Sequence, residues 1–118
     1  MSAEISGVVL VVEDEALLLF AIADDLRELG FGVLEAHNAD QAVARLEAHP
    51  EITALFTDID MPGSMNGVQL SMLVEHRWPE KKVVITSGKM RPAAGVMPAS
   101  AAFLAKPYSV DAVARAVA

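Results

Sequence analysis

The run Val8-Val9-Leu10-Val11-Val12 has no polar residue on either alternating face, and it ends abruptly at Glu13-Asp14-Glu15. A strand that is apolar on both faces has to be covered on both. That is the situation of a central strand in a parallel sheet with helices above and below it. Ile52 to Asp58 repeats the pattern, with Ala54-Leu55-Phe56-Thr57 stopping at the carboxylate of Asp58. Val83-Val84-Ile85-Thr86-Ser87 repeats it again and is broken by Gly88. Buried apolar runs that each stop at a polar residue constrain the chain more than its composition does.

The segments between these runs have helical composition. Ala16 to Leu29 carries Leu19, Ile22, Leu26 and Leu29 at core-stripe spacing, with Gly30 as its stop. Gly32 to Ala36 reads as a second, shorter strand. Asn38 followed by Gln41 marks the start of a helix over Ala39–Ala48, which Pro50 closes. Ile59 to Asn66 is rich in turn formers, and Gly67 to Trp78 reads as a helix with Leu70, Leu73 and Val74 inward. Lys89 to Ser100 holds Pro92, Gly95 and Pro98, so a regular helix there meets repeated interruptions. A short, distorted or mobile element is expected in its place. Ala101 to Ala105 reads as a fifth strand. Lys106-Pro107 follows it, a dipeptide whose bond can be cis. Ser109 then caps a last helix from Val110.

Alternating strands and helices predict an α/β fold with a parallel sheet and helices on both faces. Five such units in 118 residues imply one domain over residues 1–118, a flavodoxin-like doubly wound sheet with strand order 2-1-3-4-5 and a short or distorted fourth helix. The first and third strands are then neighbours, and their carboxyl ends carry Glu13-Asp14 and Asp58. Ligands bind at that end of such sheets. Acids this close raise one another's pKa unless a cation compensates, and an all-oxygen, carboxylate-rich cluster suits Mg²⁺. Lys106 ends the fifth strand and can offer a point charge to a phosphoryl group. Either Thr86 or Ser87 faces the same rim, because side chains alternate along a strand. Gly88 leaves space beside Ser87, which favours Ser87. Taken singly, each of these residues reads equally well as solvated surface or strand packing.

The net charge of −7 argues against direct nucleic-acid binding. The chain has no cysteine, which excludes disulfide and thiolate chemistry. No apolar stretch is long enough to span a bilayer. Met1-Ser2-Ala3-Glu4 lacks the basic end and apolar stretch of a signal peptide, so a cytoplasmic location is the default expectation.

Taken together, Val11-Val12-Glu13-Asp14-Glu15, Asp58 with Met61-Pro62 and Gly67, Thr86-Ser87-Gly88 and Lys106-Pro107-Tyr108 resemble the receiver domain of two-component response regulators, the CheY-like family. The resemblance covers nearly the whole chain. It implies that Asp58 accepts a phosphoryl group from a phosphohistidine on a sensor histidine kinase or histidine phosphotransfer protein. It implies direct Mg²⁺ ligation by Asp14, Asp58 and the backbone carbonyl of Asp60, with Glu13 acting through water. Ser87 would donate its hydroxyl to one phosphoryl oxygen and Lys106 would pair with another. Phe103 falls where the family carries a switch aromatic. On this basis the domain is a signalling phosphoacceptor rather than an enzyme, a monomer or weak dimer, either standing alone or forming part of a longer chain.

Three departures from the family pattern stand out. The loop from Met61 to Gly67 looks one residue longer than usual. The span from Ser87 to Lys106 looks short, which puts output through a fourth-helix face in question. Asp60 adds an acid beside the nucleophile. Leu17 and Phe20 lie off the core stripe of the first helix and near the acid end; they are either buried or a docking surface for a helical bundle, and their exposure discriminates.

Two other readings compete. Asp58-Ile59-Asp60 resembles the Asp-x-Asp motif of haloacid-dehalogenase-type phosphatases, but that motif belongs to a first strand with a long chain after it. A purely structural interaction module with a degenerate site is the other, and the intact set Glu13, Asp14, Asp58, Ser87 and Lys106 weighs against it.

Overall fold

A computed structural model describes residues 7–89, 91–93 and 95–118. The amino-terminal residues weighed above as a leader lie outside the described residues, as do Met90 and Ala94 in the proline-rich span. The elements run β1 (Val8–Val12), α1 (Ala16–Glu28), β2 (Gly32–Ala36), α2 (Ala39–Ala48), β3 (Ile52–Asp58), α3 (Gly67–Arg77), β4 (Lys82–Ser87), β5 (Ala102–Ala105) and α4 (Val110–Val117). The five strands form one parallel sheet in the order β2-β1-β3-β4-β5, the flavodoxin-like arrangement expected from the alternation.

Strand alternation divides the interior into two layers. Val9, Val11, Ala54, Phe56 and Val84 face α1 and α4, where they meet Leu19, Leu26, Val113 and Val117. Leu10, Val12, Leu55, Val83 and Ile85 face α2 and α3, where they meet Leu46, Leu70 and Val74. Every one of these side chains is buried. The central strands are therefore apolar on both faces because each face is the floor of a separate core.

Local signals fix the helix ends. Asn38 Oδ1 accepts from the Gln41 N–H at 2.8 Å, and Ser109 Oγ accepts from the Ala112 N–H at 3.1 Å, as the sequence predicts. At α3, Asn66 and Gln69 form a reciprocal capping box. α1 ends one residue earlier than its apolar stripe suggests. The Gly30 N–H bonds to Arg27 O and the Phe31 N–H to Leu26 O, with Gly30 at φ +100°. That double closure turns the chain out of the helix. Leu29, expected in the core, is consequently 46% exposed, and Phe31 packs against the Leu26 layer in its place.

The span between β4 and β5 is irregular, in line with its interrupted sequence. Among the described residues of 89–100 there is no helix, only turns and irregular backbone. Pro92 and Pro98 lack the N–H that helical turns require. Met97 and Ala101 nonetheless enter the α2–α3 core, so the span is anchored rather than loose. Among the described residues the sheet is thus flanked by four helices.

Gly67 shows how tightly the rim of the sheet is packed. A Cβ added there would lie 2.0 Å from the Asp58 carbonyl oxygen and 2.8 Å from Ile59 Cα. Both are backbone atoms that cannot step aside. We expect Gly67→Ala to lower the unfolding free energy by about 1–3 kcal/mol, as measured by urea denaturation.

Candidate functional site

The sheet's carboxyl edge gathers the acids. β1 hands over to Glu13 and Asp14, and the Glu13 N–H continues the ladder to Ala36 O at 3.1 Å. β3 delivers Asp58. Beyond the strand ends, the Ile59 N–H bonds to Thr86 O and the Lys106 N–H to Ser87 O, each at 2.9 Å. These bonds hold the tails of β3, β4 and β5 at one level. Carboxylate oxygens of Glu13, Asp14 and Asp58 all lie within 4.8 Å of one another. Glu13 and Asp58 are buried and Asp14 is exposed. An open cleft of about 490 Å³ runs over them, bounded also by Asp60, Gly88, Lys89 and Lys106.

Lys106 reaches into this cluster. Its Nζ donates to Asp58 Oδ2 at 3.1 Å and lies 3.5 Å from Glu13 Oε1. The Lys106–Pro107 bond is cis, the geometry that the sequence allowed. Burial works against the Lys106 ammonium, but the hydrogen bond and charge of Asp58, with Glu13 behind them, more than reverse this. Its pKa is raised above the ordinary 10.5, so it remains a cation. Burial also pushes the Glu13 carboxyl above the ordinary 4.5. The Glu15 N–H pulls it down, and the Asp58 charge pushes it up. Three carboxylates against one ammonium leave a surplus of negative charge in a hard, all-oxygen donor set. Those residues fit a divalent cation such as Mg²⁺.

The two hydroxyls ending β4 are not equivalent. Val84 lies in the layer of Phe56, and Ile85 in the opposite layer. Alternation therefore puts Thr86 on the face of Asp58, its register partner. Thr86 Oγ1 is buried, with no hydrogen-bond partner among the described residues. Ser87, the residue favoured by sequence, is already engaged. Its Oγ donates to Asp60 Oδ2 at 3.0 Å and accepts from the Lys89 N–H at 3.0 Å. Lys89 has no linear signal at all.

The remaining candidates fall as follows. Asp60 lies on the rim, with its N–H 3.3 Å from Asp58 Oδ1. Phe103 is half-buried against the α2–α3 core, with the Arg91 guanidinium 5.8 Å from its ring centre. Leu17 and Phe20 are 87% and 65% exposed, which answers the question that the sequence left open. Next to α1, Leu18, Pro107 and Tyr108 line a shallow, largely apolar hollow.

The raised Glu13 pKa has a sign that can be tested. Folded Glu13 holds its proton more tightly than the unfolded chain does. It therefore stabilises the fold below about 4.5, and that contribution is lost as pH rises through the folded value. Near neutral pH the ionised group is a cost. Thermal melts in EDTA should show Glu13→Gln raising Tm near neutrality, with the gain vanishing in acid.

The sequence profile of the response regulator receiver domain matches residues 9–118. The nitrogen assimilation regulatory protein NtrX of Azorhizobium caulinodans is 30% identical over 108 residues, which is 87% of this chain and 23% of NtrX. The chain spans less than a quarter of the length of the curated relatives it matches. The receiver domain of the hybrid histidine kinase CckA is 29% identical with a TM-score of 0.78, covering 92% of this chain and 94% of that one. A response regulator receiver protein from Sinorhizobium medicae is 25% identical with a TM-score of 0.83, covering 95% and 91%. No helix of the described residues is long and apolar enough to cross a membrane. With the fold, the rim of acids and the profile in agreement, the chain belongs to the CheY-like receiver domain family of two-component response regulators.

Proposed function

We propose that Asp58 accepts a phosphoryl group from a phosphohistidine on a sensor histidine kinase or histidine phosphotransfer protein. The observation that carries this reading is the 3.1 Å bond from Lys106 Nζ to Asp58 Oδ2 inside a three-carboxylate cluster. An Asp58 oxygen attacks phosphorus, the P–N bond to the donor imidazole breaks, and its electron pair stays on the imidazole. The product is an acyl phosphate on Asp58, which water later hydrolyses.

Asp14, Asp58 and the Asp60 carbonyl would hold Mg²⁺, with Glu13 acting through water. When bound, the cation neutralises charge on the transferring oxygens. The chain's own residues do the positioning. Lys106 meets one phosphoryl oxygen with its ammonium. Ser87, ending β4 beside Asp60 at the cleft, would donate its hydroxyl to another. Phe103 beside β4 then reports the rearrangement as a switch residue, changing what the domain binds or where it passes the phosphoryl group. The domain acts as a signalling phosphoacceptor that promotes its own phosphorylation and dephosphorylation. Its setting is the cytoplasm, as a monomer or weak dimer without direct contact to nucleic acid or membrane.

Exposed Leu17 and Phe20, with the apolar hollow beside them, support docking of the donor's helices along α1. Apolar side chains exposed together in this way mark contact surfaces.

Three outcomes check these assignments. Incubation with a small phosphodonor and Mg²⁺ should add one phosphoryl mass to the native chain and none to Asp58→Asn. In the same assay Ser87→Ala should label about 10–100-fold more slowly, as expected for loss of one transition-state donor. Replacement of Phe20 by Ser should slow transfer from a phosphorylated protein donor while leaving small-donor labelling intact.

A further inference from the structure

β2 is an edge strand, and among the described residues it pairs with β1 alone. The stretch Phe31-Gly32-Val33-Leu34-Glu35-Ala36 is apolar but for one acid. An edge of this kind presents a row of backbone groups to which another strand can add. The Gly32 N–H reaches Gly7 O, and Ala36 O receives the Glu13 N–H, each at 3.1 Å. Gly32, Leu34 and Ala36 therefore turn their backbone groups toward β1, while Val33 and Glu35 turn theirs outward.

Both outward carbonyls are occupied. Val33 O accepts from Arg27 Nη2 at 3.1 Å, and Glu35 O accepts from Arg45 Nε at 3.1 Å. The two arginines stand in the last turns of α1 and α2, so they come to the edge from opposite faces of the sheet. Arg27 Nη2 also lies 3.1 Å from Glu35 Oε2, which holds that guanidinium along the strand. Just past the strand, the His37 N–H donates to Gln41 Oε1 at 2.8 Å. Before it, the Phe31 N–H is taken by Leu26 O. A strand arriving here meets acceptors already bonded to charged donors, which hold them more firmly than neutral ones would.

We propose that Arg27 and Arg45 guard the β2 edge, and that what they exclude is the β2 edge of a second copy of this chain. Each guarded edge carries two guanidinium groups against one carboxylate, so like charge opposes the meeting of two copies as well. The inference is independent of what happens at Asp58. The plainer reading is that two surface arginines have found nearby carbonyls. The Arg27 side chain is 44% exposed, and exposed contacts of this kind contribute little to folding. On that reading, removing the arginines leaves association unchanged.

Sedimentation velocity over a concentration series separates the two. Arg27→Ala combined with Arg45→Ala should tighten self-association at least about tenfold relative to the native chain, a factor equivalent to about 1.4 kcal/mol. Far-UV circular dichroism checks that the fold is kept. Hydrogen exchange at the Val33 and Glu35 amides should slow as the variant is concentrated, since those are the donors a second edge would engage. Adding Glu35→Pro should return the variant to native association. The Glu35 N–H faces away from β1, so proline there removes an outward donor and no ladder bond. If the double variant loses its fold, Arg45→Ala alone, with the Arg27–Glu35 pair intact, should shift association in the same direction. A folded variant that associates no more than the native chain overturns the guard, as does association that Glu35→Pro leaves in place.

Discussion

Three strand ends are held to one another by a single ammonium. Lys106 spans 93 residues of sequence to Glu13 and 48 to Asp58, so β1, β3 and β5 share one charge-balanced centre. Two nearly buried carboxylates side by side are expensive without a cation, because burial and mutual repulsion both oppose ionisation. The fold supplies that cation from the far edge of the sheet. Everything at the rim follows from this meeting. The acids can be close because Lys106 is there, and Lys106 stays charged because they are.

The architecture was legible because strand burial and helix capping are local. Val8–Val12 declares a strand covered on both faces, and Asn38 and Ser109 declare helix starts by their own hydrogen-bonding chemistry. The acid rim was legible too, since strand order follows from alternation and brings Glu13, Asp14 and Asp58 together. An error arose where a local cue competed with a global one. Leu29 fits the helical stripe, yet the turn at Gly30 removes it from the core. The partners of Asp60 could not be read at all, because the contact between Asp60 and Lys89 exists only once the β3–α3 loop and the β4 tail meet.

The hydroxyls of Thr86 and Ser87 sit in different surroundings, one buried without a partner and the other bonded to Asp60. Neighbouring residues at a strand end point to opposite sides, so one can stay buried beside the acceptor while the other ties down the loop. That division depends on β4 ending where it does, in register with Asp58.

The span from β4 to β5 has a consequence for the molecule's surface. Residues 88–101 must return from the carboxyl end of one strand to the amino end of the next, a path that parallel neighbours usually fill with a helix. Among the described residues of this span no helix forms, and Met97 and Ala101 are seated in the core instead. The span leads from Gly88 to β5, which carries Phe103. Whatever reads this side of the molecule meets, among the described residues, an irregular ribbon pinned to the core by Met97 where a helical ridge would otherwise stand.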